Sequence, residues 1–273
     1  LQQPPAAAEG LPLLRATFVV PCYNEAARLD AAAFAALVAN ARVSVLAVDD
    51  GSKDATRALL DSIVSQHPGR ISVLSLALNG GKAEAVRAGM KHALAAGALV
   101  VGYADADFAT PPLELVRLFD ELERTGAEVV LGSRIQRLGA DIVRKELRHL
   151  AGRLFATVSS WTVGVPVYDT QCGAKLFRAT PALAAALSEP FSSRWSFDVE
   201  LLARLFGRLP SAESMDPKHA IEVPLAQWHD IGGSKLHLPG MARAFADLLA
   251  MWARAERYSF AIKRRRATAS TRR

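Results

Sequence analysis

The sequence predicts an α/β fold, with a mostly parallel sheet flanked by helices on both faces. Three observations carry that expectation. Short β-rich runs alternate with helical patterns through the first half of the chain. Those runs are continuously apolar rather than alternating, as strands covered on both faces are. Polar clusters follow directly on strand ends, at the edge where open α/β sheets bind ligands.

The first strand is expected over residues 17–20, ending at Pro21, and a helix over 25–39. A second apolar strand, 43–48, stops at Asp49 and Asp50. Helix 54–66, strand 71–76, helix 82–96, strand 98–103, helix 113–124 and strand 128–131 follow. Right-handed crossovers then align the strand C-termini along one edge. Cys22-Tyr23-Asn24-Glu25, Asp49-Asp50-Gly51-Ser52 and Asp105-Ala106-Asp107 all lie there, and three clusters on one edge make a site.

The second half is less regular. Val143, Leu147, Leu150, Leu154, Val158, Trp161 and Val165 keep a three-and-four spacing, with Arg144, Lys145, Arg148 and Arg153 between them. Such a helix either packs its stripe on the core or lies in a membrane interface with its basic face outward. The same two readings apply to a helix expected over 241–258. The organisation expected is a flexible leader over 1–14, one domain over 15–238, and a C-terminal amphipathic helix with a basic tail over 239–273.

With 273 residues, 51% of them apolar, the chain can bury one large core, which excludes general disorder. Two cysteines, Cys22 and Cys172, make neither a disulfide framework nor a zinc spacing; buried thiols in a reducing compartment are the simplest reading. The net charge of +6 is concentrated near the C-terminus, in Lys263-Arg264-Arg265-Arg266 and Arg272-Arg273. That tail is a solvated end, or it meets anionic lipid or nucleic acid. The longest apolar run, 93–104, falls short of the ~20 residues a membrane span needs. Residues 1–12 lack the basic start and apolar middle of a signal peptide and read as a loose leader; the absence of an initial Met leaves processing open.

Asp105-Ala106-Asp107 is the sharpest chemical motif. In an extended segment positions i and i+2 point the same way, so both carboxylates can converge on one cation. Mg²⁺ and Mn²⁺ take oxygen ligands, commonly one or two carboxylates with phosphate oxygens completing the shell. Asp49-Asp50-Gly51-Ser52 offers a carboxylate to a ribose or base, or is simply a turn whose Ser52 caps the next helix. Asn79-Gly80-Gly81-Lys82 precedes a helix and suits a phosphate or a helix cap. No Gly-x-Gly-x-x-Gly follows the first strand, and no Ser or Thr follows Lys82. Both absences argue against a dinucleotide dehydrogenase and a P-loop NTPase.

Together, Pro21-Cys22-Tyr23-Asn24-Glu25, Val48-Asp49-Asp50-Gly51-Ser52, Asn79-Gly80-Gly81-Lys82, Asp105-Ala106-Asp107 and Gly132-Ser133-Arg134 resemble family 2 glycosyltransferases of the Rossmann-like GT-A fold. Three later strings narrow the likeness: Asp169-Thr170-Gln171-Cys172-Gly173-Ala174-Lys175-Leu176-Phe177, Arg194-Trp195-Ser196-Phe197-Asp198-Val199-Glu200, and Gly233-Ser234-Lys235-Leu236. These are similar to dolichyl-phosphate β-glucosyltransferases and, more loosely, to dolichyl-phosphate mannose synthases.

The resemblance implies inverting transfer of a hexose from a nucleotide sugar, UDP-glucose before GDP-mannose, to a polyprenyl or dolichyl phosphate. It implies Mg²⁺ or Mn²⁺ held by Asp105 and Asp107. Pro21, Tyr23, Glu25, Val48 and Asp50 would surround the nucleoside, with Lys82 also on the donor. Arg134 and Lys235 would engage phosphates, while Arg194, Trp195 and Asp198 fall on the acceptor side. Mannose synthases commonly carry a Gln ligand where this chain has Ala109, which favours the glucosyl branch. They also carry a basic residue where His229 stands, so a second phosphate contact comes from elsewhere.

A phosphate monoester, with a second pKa near ~6, is already nucleophilic at neutral pH, so no general base is required. A saccharide hydroxyl would need one, and Asp198 or Glu200 are the candidates. The setting expected is peripheral association with an anionic membrane surface on the cytoplasmic side, with no nucleic-acid partner. The contrasting class is a nucleotide-sugar binding protein without turnover.

Overall fold

A computed structural model describes residues 14–136, 138–143, 147–229 and 238–270, with Val143 and the helical stretches 147–154, 238–241 and 262–270 given by backbone alone. The expected strands form β1 (Ala16–Cys22), β2 (Val43–Asp49), β3 (Ile71–Ser75), β4 (Val100–Ala104) and β5 (Val129–Ser133). Between them run α1 (Ala31–Val38), α2 (Thr56–Gln66), α3 (Lys82–Ala95) and α4 (Pro112–Thr125). The second half supplies β6 (Asp141–Val143), α5 (Leu147–Val163), β7 (Ala174–Arg178), α6 (Pro181–Ala186), α7 (Phe197–Leu205), β8 (Ala220–Pro224), β9 (Gln227–His229) and α8 (Leu238–Ser270).

The main sheet has the order β3-β2-β1-β4-β7-β5-β8. Each of its pairings is parallel except those of β7, which runs antiparallel between β4 and β5. Two apolar layers cover it. Phe18, Val20, Val45 and Ala47 face α1, α2 and α4, while Val19, Leu46, Val48 and Tyr103 face α3, α6, α7 and α8. Burying a side chain such as Phe34 or Leu37 contributes about 1.5–3 kcal/mol. Helix α3 lies so close on the sheet that a Cβ at Gly89 would sit 2.5 Å from Val19 Cγ1 and 2.8 Å from Val48 Cγ2.

Several expected boundaries change. Strand β1 continues through Pro21 to Cys22, because its ladder with β4 has already ended at Val19 and the missing N–H of Pro21 costs nothing there. Helix α1 starts at Ala31 rather than at residue 25. Asp30 caps it by accepting hydrogen bonds from the Ala32 and Ala33 amides, and turns fill the stretch before it. Val143 belongs to β6, not to the helix that follows. Of the expected stripe, Val158 is buried whereas Trp161 faces outward, 56% exposed, with its ring centroid 6.4 Å from that of Trp252 on α8. Leu147, Leu150, Leu154 and the basic Arg144, Lys145, Arg148 and Arg153 lie outside the described side chains. Helix α8 runs on to Ser270, taking 263–266 into its backbone. Among the described residues, no helix is long and apolar enough to cross a membrane.

Candidate active site

The loops after β1, β2, β3, β4 and β5 open on one edge of the sheet, and reversed β7 begins at that edge, Ala174 pairing with Ala104. The first two loops are zipped together. Asn24, in the left-handed region at φ 49°, accepts from the Lys53 amide at 2.8 Å, and its own N–H donates to Ser52 Oγ at 3.1 Å. The Glu25 amide donates to Thr56 Oγ1 at 2.8 Å, while its carboxylate takes Arg28 at 2.6 Å. Pro21 and Tyr23 stand half-buried beside them. Val48 is fully buried beneath α3, so any part it has in a nucleoside pocket is in shaping the strand end.

Asp50 anchors the glycine loop. Its two carboxylate oxygens accept from the Gly80 and Gly81 amides, each at 2.8 Å. Burial raises its pKa, and those amides work against the rise. Arg194 covers the other side of that loop, donating to the carbonyls of Asn79 at 3.1 Å and Gly80 at 3.2 Å. Gly81, at φ +87°, lets the chain turn under Arg194 Nε, only 3.1 Å from where a Cβ would stand. The next residue, Lys82, opens α3 and reaches across to Asp105 Oδ1 at 2.5 Å.

Asp105 and Asp107 lie in a turn after β4, closed by the Phe108 amide donating to the Asp105 carbonyl at 3.0 Å, and not in the extended segment expected. Burial and then the neighbouring Asp105 raise the pKa of Asp107, while the Ala109 amide, bonded at 3.1 Å, and the charges of Lys82 and Arg28 hold it back. Phe108, the next residue, adopts φ 48° and packs edge-on against Phe34 at 5.1 Å. Gly173, just before β7, lies against Asp105: a Cβ there would be 2.1 Å from Oδ2. Among the described residues no cluster of three His, Cys, Asp or Glu joins the pair. Two hard oxygen donors, with Asp105 seated against Gly173, fit Mg²⁺ or Mn²⁺ completing its shell from phosphate and water.

Beneath this surface lies a polar layer. Asp198, at the start of α7, accepts from the Tyr103 hydroxyl and from Lys175 Nζ at 3.2 Å. Lys175 also donates to the Cys172 carbonyl at 2.5 Å and is fully buried. Burial pushes the Asp198 carboxyl up to about 7, against the charge of Lys82, and the Lys175 ammonium down to about 8, against the charges of Cys172 and Asp169. Glu200, the other candidate base, accepts from Arg204 at 2.7 Å and from the Ser192 amide and hydroxyl. It holds the α6–α7 connection.

Arg134 is gripped rather than open. Asp169 takes its Nε and Nη2, both at 2.7 Å, and its backbone N–H at 3.0 Å. The guanidinium also lies over Trp228, 5.2 Å from the ring centre. Burial opposes both charges, but the pairing wins, holding Asp169 at about 2 and Arg134 above the usual arginine range. Glu222 secures the Asp169 turn by accepting from the Tyr168 and Asp169 amides at 2.9 and 2.7 Å.

Both cysteines are buried, and burial pushes Cys172 up to about 11. His229 pairs with Asp141 at 2.7 Å, and its amide donates to the Ala109 carbonyl at 3.0 Å. Lys235 and the rest of Gly233-Ser234-Lys235-Leu236 lie outside the described residues. Sequence reasoning assigned no role to Asp169, Gly173 or Lys175, although all three stand in a string it singled out.

Residues 17–180 match the family model described as glycosyl transferase family 2. The chain is 33% identical over 251 residues to dolichyl-phosphate β-glucosyltransferase ALG5C of Trichomonas vaginalis, covering 85% of this chain and 69% of the relative. It is 31% identical over 193 residues to polyprenol monophosphomannose synthase of Mycolicibacterium smegmatis, covering 71% and 72%. Among solved structures, glucosyl-3-phosphoglycerate synthase of Mycobacterium tuberculosis, in complex with Mn²⁺, UDP-glucose and glycerol 3-phosphate, superposes with a TM-score of 0.63 at 19% identity. The superposition covers 88% of this chain and 80% of that one. At that identity the likeness shows the fold, which is the expected GT-A fold.

Proposed function

The chain belongs to glycosyl transferase family 2, and we propose that it transfers one hexose, with inversion, from a nucleotide sugar to a polyprenyl or dolichyl phosphate. UDP-glucose is the favoured donor. The observation that carries the reading is the cluster of Asp105, Asp107 and Lys82 at the strand edge, with Gly173 cleared against Asp105. The names of the relatives, which act on dolichyl phosphate or make polyprenol monophosphomannose, supply the acceptor class.

Asp105 and Asp107 would hold Mg²⁺ or Mn²⁺, which when bound supplies positive charge to the departing diphosphate. Pro21, Tyr23 and Glu25, with the loop that Asp50 clamps, shape the nucleoside side. Lys82 and the start of α3 favour the anionic diphosphate. Arg194, Arg134 and Lys235 are the cations proposed for acceptor and donor phosphates. The acceptor phosphate is its own nucleophile, so the protein's tasks are in-line positioning and charge relief.

The state of the two candidate bases supports a phosphate acceptor over a saccharide hydroxyl. Asp198 is buried and engaged by Tyr103 and Lys175, and Glu200 by Arg204 and Ser192. Asp198 is accordingly a positioning residue beneath Lys82. GDP-mannose is the alternative donor, and Ala109 weighs against it. Peripheral attachment to an anionic membrane surface, on its cytoplasmic side, belongs to the same proposal. It is supported by the exposed Trp161 and Trp252 and by the basic C-terminus.

The test is transfer from labelled UDP-glucose, with GDP-mannose in parallel, into organic-extractable lipid. Asp107→Ala is expected to lower that transfer by about 10²–10³-fold, the cost of removing one stabiliser of developing charge. Full activity of Asp107→Ala without added metal would remove the metal site. Water-soluble product alone would remove the lipid acceptor, and tight donor binding without turnover would leave a binding protein.

A further inference from the structure

Lys82 and Gly173 flank the two oxygens of Asp105, whose side chain stays 35% exposed. Oδ1 meets Lys82 Nζ at 2.5 Å, and Oδ2 lies where only a glycine, Gly173, fits. A cation held by Asp105 and Asp107 would meet a carboxylate already paired with Lys82, and it would either displace the ammonium or sit beside it. The latter sets a divalent ion beside an ammonium group, and like charges that close repel strongly in a partly buried setting. Release is open to Lys82, because its side chain is 30% exposed and one ion pair ties it to Asp105, while the charges of Asp198 and Asp107 keep it in the neighbourhood. Its base is fixed, since Asp50 and Arg194 pin Gly80 and Gly81 immediately before it. The ammonium can move while its backbone cannot.

We propose that Lys82 is a resident cation of the metal site, exchanged for the metal only when a nucleoside diphosphate arrives to receive the displaced ammonium. The inference rests on the donor reading above and adds an order to it. Metal alone binds poorly because it must part Lys82 from Asp105 with no phosphate to receive the ammonium. Metal with a diphosphate binds well, because Lys82 turns from Asp105 to the phosphate. The coupling is reciprocal, so each ligand tightens the other.

The experiment titrates Mn²⁺ into the full chain by electron paramagnetic resonance or calorimetry, with and without UDP, for the natural protein, Lys82→Gln and Lys82→Arg. Lys82 occupies the first position of α3 and is partly solvated, so melting curves are expected to show all three folded. Lys82→Gln is expected to bind Mn²⁺ alone at least about tenfold more tightly than the natural chain, within the usual range of coupling between sites. It should also gain less from UDP. Lys82→Arg, which keeps the charge, should bind metal alone as poorly as the natural chain. Unchanged or weaker Mn²⁺ binding by Lys82→Gln, with Mn²⁺–UDP binding intact, overturns the exchange and leaves the donor reading standing. Failure of all three to bind Mn²⁺ even with UDP overturns both.

Discussion

Two acid–base pairs stand at the same edge of the sheet, one on each side of β7, and they are built differently. Lys82 meets Asp105 through one contact, with 30% and 35% of the two side chains exposed. Arg134 meets Asp169 through a fork and a backbone amide, with 21% and 8% exposed, and stacks on Trp228 as well. A single, half-solvated contact is worth little and can be traded. A forked pair taken out of water cannot be opened without stranding a charge. The first is suited to exchange partners during a reaction cycle, and the second to hold a loop still while sharing its charge with whatever approaches.

The most severe way to break this contrast is Asp169→Ala, which leaves the Arg134 charge without its partner. A loss of about 3–5 kcal/mol in urea or thermal unfolding is expected. Next is Gly173→Ala, whose new Cβ would collide with Asp105 Oδ2. Misplacement on that scale is expected to cost about 10²-fold in hexose transfer while the melting temperature changes little. An unchanged rate would mean that Asp105 is not held where it must act.

Acid sharpens the contrast further. Asp169 is held at about 2 in the folded chain, below its ordinary value near 3.8. Its contribution is therefore complete above about pH 4 and lost as pH falls toward 2, an effect of about 2 kcal/mol. Asp169→Asn should flatten that part of a stability–pH curve. The smallest effect is on the other pair: Lys82→Gln should change unfolding free energy by less than about 1 kcal/mol.

Most of the first half was legible because each strand there is mostly apolar and each helix has its own period. The exception, residues 25–30, looked helical by composition, but Asp30 offers its carboxylate to the next turn and starts the helix later. Strand β7 was not legible. Ala174–Arg178 has neither alternation nor length, and Lys175, its second residue, reads as a surface residue until Tyr103 and Asp198 close over it. The Asp105–Asp107 pair was legible from its place just after an apolar strand, whereas Gly173 and Asp169 acquire their meaning from contacts across the sheet. Helix α8 exceeds the 241–258 expected, since its basic end carries no apolar period to follow.

The reversed strand also bears on how the molecule assembles. Val100–Ala104 takes its second neighbour from Ala174–Arg178, much later in the chain. During synthesis the nucleoside-side loops can gather on β1, β2 and β3 while β4 still presents a bare apolar border. Such a border invites pairing with other chains until its proper strand arrives. Completion of the carboxylate site by Gly173 and closure of that border are thus one event. A nascent or truncated chain lacking β7 lacks both the finished site and the guard against aggregation.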